Sequence, residues 1–297
     1  PLPPLKEQEK IVEVLDELIS LASEFDRIKE ELKRIEKRIE KRIEKSVLKL
    51  AIEGGLSTKF RKANPKLNAF DEIKAYNKEI QNKKKILNKD LKNLENELKT
   101  QKDKITKAKL KTKISNLKKE LSRLKEIEIL NSNDNNLPFE LPSTWAWVKL
   151  GEVCEIVKGT SYSQNDLTSS QGIRIMRGGN INKITHNLDL LNNDVYVNQK
   201  LFSSAKQVHK NDIIITSTND IDNIAKCAFV NKDVDNAQIG AFLRIVRISE
   251  SLNAKYVFFI FASAFYETYI QCCVSGTVSS LLNIRDEYIN NLKIPLP

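Results

Sequence analysis

Apolar residues fall at Ile11, Leu15, Leu18, Ala22 and Phe25, alternately four and three residues apart. After one irregular step the stripe continues at Ile28, Leu32, Ile35, Ile39, Ile43, Val47 and Leu50. This spacing predicts one helix over 5–53, opened by Pro3-Pro4 and stopped by Gly54-Gly55. So narrow a stripe is a coiled-coil seam rather than the broad face of a globular helix. The short step from Phe25 to Ile28 and the later four-residue steps predict local changes of winding. At 1.5 Å per residue the rod would be roughly 70 Å long. Such a rod cannot bury its seam alone and needs a partner helix.

A second helical stretch is predicted from about Ala69 to Leu130, with apolar positions including Ile73, Ile80, Leu87, Leu94, Leu98, Ile114 and Leu121. Thr100–Lys104 is polar throughout, so this stretch reads either as one rod or as a hairpin broken there. The apolar-free run 131–136, NSNDNN, predicts a linker. Beyond it lysine thins out and β-branched and aromatic residues rise. Strands are predicted at 153–157, 173–177, 194–197, 212–216, 224–230 and 239–248, a buried helix at 252–271, and an extended exit over Leu292–Pro297. The fold class expected is α+β: long antiparallel coiled-coil helices beside a mixed α/β domain. Three regions follow, 1–68, 69–136 and 137–297.

Charge sharpens this division. The chain of 297 residues carries a net +10, of which 1–130 holds +11 and 131–297 holds −1. Residues 81–120 alone contain 14 Lys against 5 acids. A lysine-rich helix is either a solvated face or a contact for a polyanion such as DNA. The apolar run around Tyr256–Phe265 is too short to span a bilayer. Cys154, Cys227, Cys272 and Cys273 form no CxxC pair, and with only His186 and His209 no metal-ligand cluster is expected. The four cysteines read as buried reduced thiols of a cytoplasmic protein. No phosphate loop, S-adenosylmethionine-binding pattern or catalytic cluster is present in the sequence, and Gly178-Gly179 reads as a turn between strands.

Five segments bear a resemblance: LPPLKEQEKIVEVLD (2–16), LPFELPSTWAWVKLGEVCEIVKGTS (137–161), GIRIMRGGNI (172–181), NDIIITSTNDIDNIAKCAFV (211–230) and GTVSSLLNIRDEYINNLKIPLP (276–297). In this order they resemble the specificity subunit of type I restriction–modification systems. Such subunits resemble a tandem repeat of recognition domain and long helix, with a boundary like IPLPPLKEQEKIV. Here the chain finishes KIPLP and starts PLPPLKEQEKIV, which implies one repeat in permuted order, as a half-subunit or a piece of a longer parent. The resemblance implies a non-catalytic, metal-free module. Its partners would be double-stranded DNA, methyltransferase subunits holding S-adenosylmethionine, and a restriction subunit using ATP and Mg. A homodimer or a second half would pair through the seam.

Sequence readout needs hydrogen-bonding side chains on loops that reach base edges. The candidates are Lys158, Thr160, Ser161 and Tyr162 after one strand, Ser217, Thr218 and Asn219 after another, and Thr277, Ser279 and Asn283 before the exit. Arg177 and Asn180 sit in the family-like segment, where part of their role would be to hold the fold. Readers that differ between relatives would lie where the resemblance fades, over 160–170 and 182–210; Lys183, His186, Asn187, Asn198, Gln199 and Lys200 are candidates there. Trp145 and Trp147 read as core anchors rather than base-stacking platforms. Two other readings of the residues stay open: a coiled-coil adaptor whose head binds protein, and a basic helical arm that binds RNA.

Overall fold

The computed structural model describes residues 3–131, 136–169, 172–190, 195–221, 223–275 and 281–297. The chain divides into two compact units, the first ending at Leu48 and the second running from Lys49 to Pro297.

The first unit is helical. It holds nearly all of α1 (Leu5–Ile52), which begins with a Gln8 side chain donating to the Pro3 carbonyl at 2.6 Å. Its seam residues, Ile11 through Val47, are all exposed, Phe25 most of all at 66%.

The second unit begins with the end of that helix. Gly54 takes φ +78 and the Gly55 N–H reaches the Leu50 carbonyl at 2.7 Å, so the predicted stop is a left-handed glycine cap. The short α2 (Thr58–Ala63) ends before Pro65. The predicted second stretch is a hairpin of α3 (Ala69–Thr100) and α4 (Lys104–Arg123). The break is capped: the Asp103 carboxylate accepts from the Thr106 N–H at 2.8 Å and its hydroxyl at 2.6 Å, bonds that hold its pKa below the ordinary value. Lys118–Glu95 at 2.9 Å crosses between the antiparallel arms, and Lys84–Glu126 at 2.9 Å ties α3 to the segment just after α4. The Asn77 amide clamps the Ile127 backbone through two bonds of 2.8 Å.

The rest is layered sheet and helix. In chain order come β1 (Ala146–Lys149), β2 (Cys154–Lys158), β3 (Leu167–Thr168), β4 (Ile173–Met176), β5 (Tyr196–Val197), β6 (Ile213–Thr216), β7 (Thr218–Asn219), β8 (Cys227–Phe229), β9 (Ala237–Ile239), β10 (Leu243–Ile248), α5 (Ala254–Phe261), α6 (Ala264–Val274), β11 (Leu282–Asn283), α7 (Asp286–Asn290) and β12 (Lys293–Leu296). One antiparallel sheet runs β2-β10-β6-β8 and another sheet runs β3-β5-β4-β9, in which β4 and β9 are parallel. The extended exit, β12, pairs with β1 and so closes the domain on its own entrance. β6 is buried at every position, and Val157, Ile214, Leu243 and Ile245 lie in the apolar cluster with Met176 and Ile239. Trp147 packs edge-on against Phe139, with centroids 4.8 Å apart, and Trp145 lies under Arg61, so the pair anchors the core.

Three expectations change. The predicted strand 239–248 is two strands, because Gly240 turns the chain and leaves Phe242 outside. The helix over 252–271 is two helices bent by 59° at Ala262–Ser263, where Ser263 Oγ donates to the Ile260 carbonyl at 2.6 Å. Only two of the cysteines are buried: Cys154 and Cys227 are, whereas Cys272 is exposed and Cys273 half-buried, because α6 turns that side to solvent near its end. Among the described residues no single helix is long and apolar enough to cross a membrane.

Candidate nucleic-acid interface

Five backbone segments far apart in sequence meet at one rim of the second unit. The first leaves β2: Gly159 lies so close to the Gly240 carbonyl that no Cβ fits between them, and the Thr160 N–H donates to the Ile239 carbonyl at 2.7 Å. The second is the Gly240–Phe242 turn, held by Gly240 N–H to the Met176 carbonyl at 2.8 Å. The third is the turn after β4, Gly178–Asn180, whose Gly178 faces Asn219 and Thr216 at van der Waals distance. The fourth leaves β6: the Ser217 and Thr218 N–H groups both donate to the Phe242 carbonyl, at 2.9 and 3.3 Å. The fifth is β11, paired with β7 through Leu282–Asn219 and Asn283–Thr218.

The side chains at this rim divide into holders and presenters. Thr160, Asn180 and Ser217 are buried, at 4%, 2% and 0% exposure. Asn180 is fully engaged, accepting from the Arg177 N–H at 2.8 Å and donating to the Asp189 carbonyl at 3.0 Å. These three therefore hold the turns and do not face outward, a correction to their reading as base contacts. Asn180 spends its side chain on backbone groups, Thr160 Oγ1 donates to Gln238 Oε1 at 3.4 Å, and the Ser217 hydroxyl is enclosed by the fold with no hydrogen-bond partner among the described residues. Presented at the surface are Lys158, Ser161, Arg177 and Asn283, with Tyr162, Thr218 and Asn219 half-exposed. The Thr218 hydroxyl donates to Asn283 Oδ1 at 3.1 Å, which fixes the amide and directs its N–H donors away from Thr218.

The local charge is organised by Asp286. It pairs with Lys158 at 3.0 Å and with Arg244 at 3.0 Å. Partial burial pushes its carboxyl up, but the two cations outweigh that and hold it below the ordinary value. Arg244 also donates to the Ala241 carbonyl at 3.0 Å, so it braces the turn that carries Phe242.

Phe242 is 64% exposed at the centre of the rim and was not foreseen from the sequence, which placed it inside a strand. The available signal was Gly240, since an isolated glycine in a strand pattern marks a bulge or a close backbone approach. Other sequence candidates lie away from the rim. Lys183 pairs with Glu267 of α6 at 3.9 Å. His186 takes φ +54, and its Nδ1 lies 3.2 Å from the Cys227 carbonyl. Asn198 caps its own turn, Gln199 bonds Asn236 at 3.2 Å, and Lys200 pairs with Asp166 at 3.0 Å. Thr277 and Ser279 lie outside the described residues, and Asn187 is exposed on the loop after the Gly178 turn.

A family model described as the type I restriction modification DNA specificity domain matches residues 142–297, which includes every segment of the rim. The chain belongs to this family. Modules of this family give specificity and are not catalytic. Among curated relatives, the type I restriction enzyme EcoEI specificity subunit of Escherichia coli is 23% identical over 56% of this chain and 28% of its own length. The EcoAI specificity subunit of the same organism is 29% identical over 34% of this chain and 17% of its own length. The matched stretches thus span less than a third of either relative. The HsdS subunit from Thermoanaerobacter tengcongensis is similar at 16% identity and a TM-score of 0.39, over 76% of this chain and 45% of that one.

Proposed function

We propose that this chain is a specificity module of a type I restriction–modification complex, whose rim reads one half of a bipartite duplex site. The observation that carries this is the convergence of five separate backbone segments on one edge, with Arg177, Thr218, Asn283 and Phe242 presented together. Arg177 suits guanine O6 and N7, the Asn283 amide suits a purine edge, and Phe242 offers an apolar face to a thymine methyl or an unstacked base. The seam of α1 supplies the second part. Its exposed apolar stripe pairs antiparallel with the same helix of another copy, or of a second half, and the helix length sets the spacing of two readers. Methyltransferase subunits bring S-adenosylmethionine and flip the target base; a restriction subunit, docked through them, brings ATP and Mg. No catalytic step is assigned to this chain.

The test is methylated-base sequencing of DNA from cells carrying the module with its methyltransferase. The expected motif has two short specified parts and a gap. Inserting four residues, about one turn, near Lys33–Ile39 should lengthen the gap and leave the half-site unchanged. An altered half-site with the same gap would refute the division of labour between rim and helix. Absence of methylation with every methyltransferase partner would favour a protein-binding adaptor instead.

A further inference from the structure

The rim leaves an electrostatic problem. A protein normally draws most of its affinity for DNA from phosphates, yet residues 131–297 carry a net −1. The positive charge lies elsewhere in the same unit, on the α3–α4 hairpin. Along α3, Lys74, Lys78, Lys85, Lys89, Lys92 and Lys99 are spaced four, seven, four, three and seven residues apart. Each step is one or two helical turns, so all six share a face. Asp71 and Glu95 fall on the lysine face, Asp71 bonded to Asn68 and Glu95 paired with Lys118, while the other acids of α3, Glu72, Glu79, Asp90 and Glu97, form a separate stripe. Three of them stand two positions before a stripe lysine, the spacing at which helical side chains point apart.

All six lysines are exposed, and none has an ion pair or hydrogen bond among the described residues. The ion pairs around the hairpin use other lysines: Lys83 with Glu79, Lys84 with Glu126, and Lys118 with Glu95. Lys74–Lys78, Lys85–Lys89 and Lys89–Lys92 are like-charge neighbours one turn apart, which work against the helix. These contacts cost folding stability; Lys99 is offset by its attraction to Glu95 one turn before it, whereas Lys78, Lys85 and Lys89 have no acid three or four residues away.

We infer that this lysine stripe is a sequence-independent clamp for the phosphate backbone of duplex DNA. Its length is about 38 Å, close to one turn of the double helix. That face also holds Gln81, Asn88 and Asn96, and its exposed apolar neighbours, Phe70 at the start and Ile86 beside it, are too few to make the broad apolar face that insertion into a lipid surface needs. The hairpin is fastened to the specificity domain by the Ala69 N–H donating to the Thr144 carbonyl at 2.9 Å, by Arg123–Glu155 at 2.9 Å and by Lys125 donating to the Gly151 carbonyl. A charge stripe fastened to a DNA-specificity domain makes duplex DNA the polyanion it meets. This rests on the reading of that domain as a DNA module.

The test compares the chain with a Lys85→Gln/Lys89→Gln/Lys92→Gln variant by fluorescence anisotropy, using specific and unrelated duplexes between 50 and 200 mM KCl. Loss of three phosphate contacts should flatten the log–log salt slope by about 2.7, so the binding lost over this salt range shrinks by about 40-fold. Weakening should be equal for both duplexes, leaving their ratio unchanged, while circular dichroism stays that of the parent or shows a firmer helix. An unchanged slope, or no duplex binding by the parent chain at 50 mM KCl, overturns the inference. A structured RNA or an anionic phosphatidylserine vesicle that outcompetes duplex DNA through the same lysines overturns the assignment of partner. If the parent prefers no sequence but the slope still falls in the variant, the clamp stands and the reading of the rim fails.

Discussion

Removing the Phe242 ring separates the proposed reading surface from the structure that supports it. The ring is 64% exposed, so only about a third of it is held by the fold. A fully buried Phe→Ala change costs about 3–5 kcal/mol, so Phe242→Ala should cost the folded domain only about 1 kcal/mol. Against DNA the expectation is larger. An aromatic side chain stacked on a base contributes about 1–3 kcal/mol, a weakening of roughly 5- to 150-fold for the specific duplex. Phe242 carries no charge, so the salt slope should stay that of the parent. Urea unfolding gives the first quantity, and anisotropy titrations over a range of KCl give the other two. Binding of the specific duplex within two-fold of the parent, with folding intact, would refute the placement of Phe242 in the interface. An equal loss on unrelated duplexes would show that the ring contributes affinity without specificity.

Further outcomes follow from buried or bonded groups. Asp212 is 1% exposed and holds Arg247 through two bonds of 2.9 and 2.8 Å, so Asp212→Ala strands a partly buried guanidinium. It should lower stability by about 3–5 kcal/mol in urea unfolding at pH 7, and a loss below about 1 kcal/mol would contradict that. Burial pushes the Cys154 and Cys227 thiols up to about 12, so at pH 8 a disulfide reagent should label Cys272 first and reach those two only on unfolding. Cys272→Ser should remove the fast phase. The Asp166 carboxyl is held down to about 2 by the Ser163 N–H and hydroxyl and by Lys200. A folded value below the unfolded one stabilises at neutral pH, and that contribution fades as pH falls from about 4 toward 2. A carbon-13 titration of Asp166 should show the low midpoint, and an ordinary value near 3.9 would dismiss the turn as its cause.

The long helix, its glycine stop and most strands of the sheets were legible because each depends on spacing along one segment. The hairpin break was visible as a polar run, but choosing it over a continuous rod depended on the Asp103 cap and the cross-arm ion pair. The rim was less legible, since it is made by contacts between distant segments. Gly159 meets Gly240, and β7 meets β11, across 81 and about 65 residues respectively. Residue type could not tell Asn283, whose amide is presented, from Asn180, whose amide is spent on a turn. Phe242 was hidden for the converse reason, because an apolar residue in an apolar run reads as core until the turn that ejects it is seen.

The most direct measurement is selection of bound duplexes from a randomised pool by this chain, followed by sequencing. A rim that reads one half-site should enrich one short motif, repeated across a fixed gap where two copies pair through α1, and that motif should weaken or change when Asn283→Ala or Arg177→Ala replaces the parent. Retained duplexes with no enriched sequence, or a motif unaffected by either change, would contradict the assignment of the rim as the reading surface.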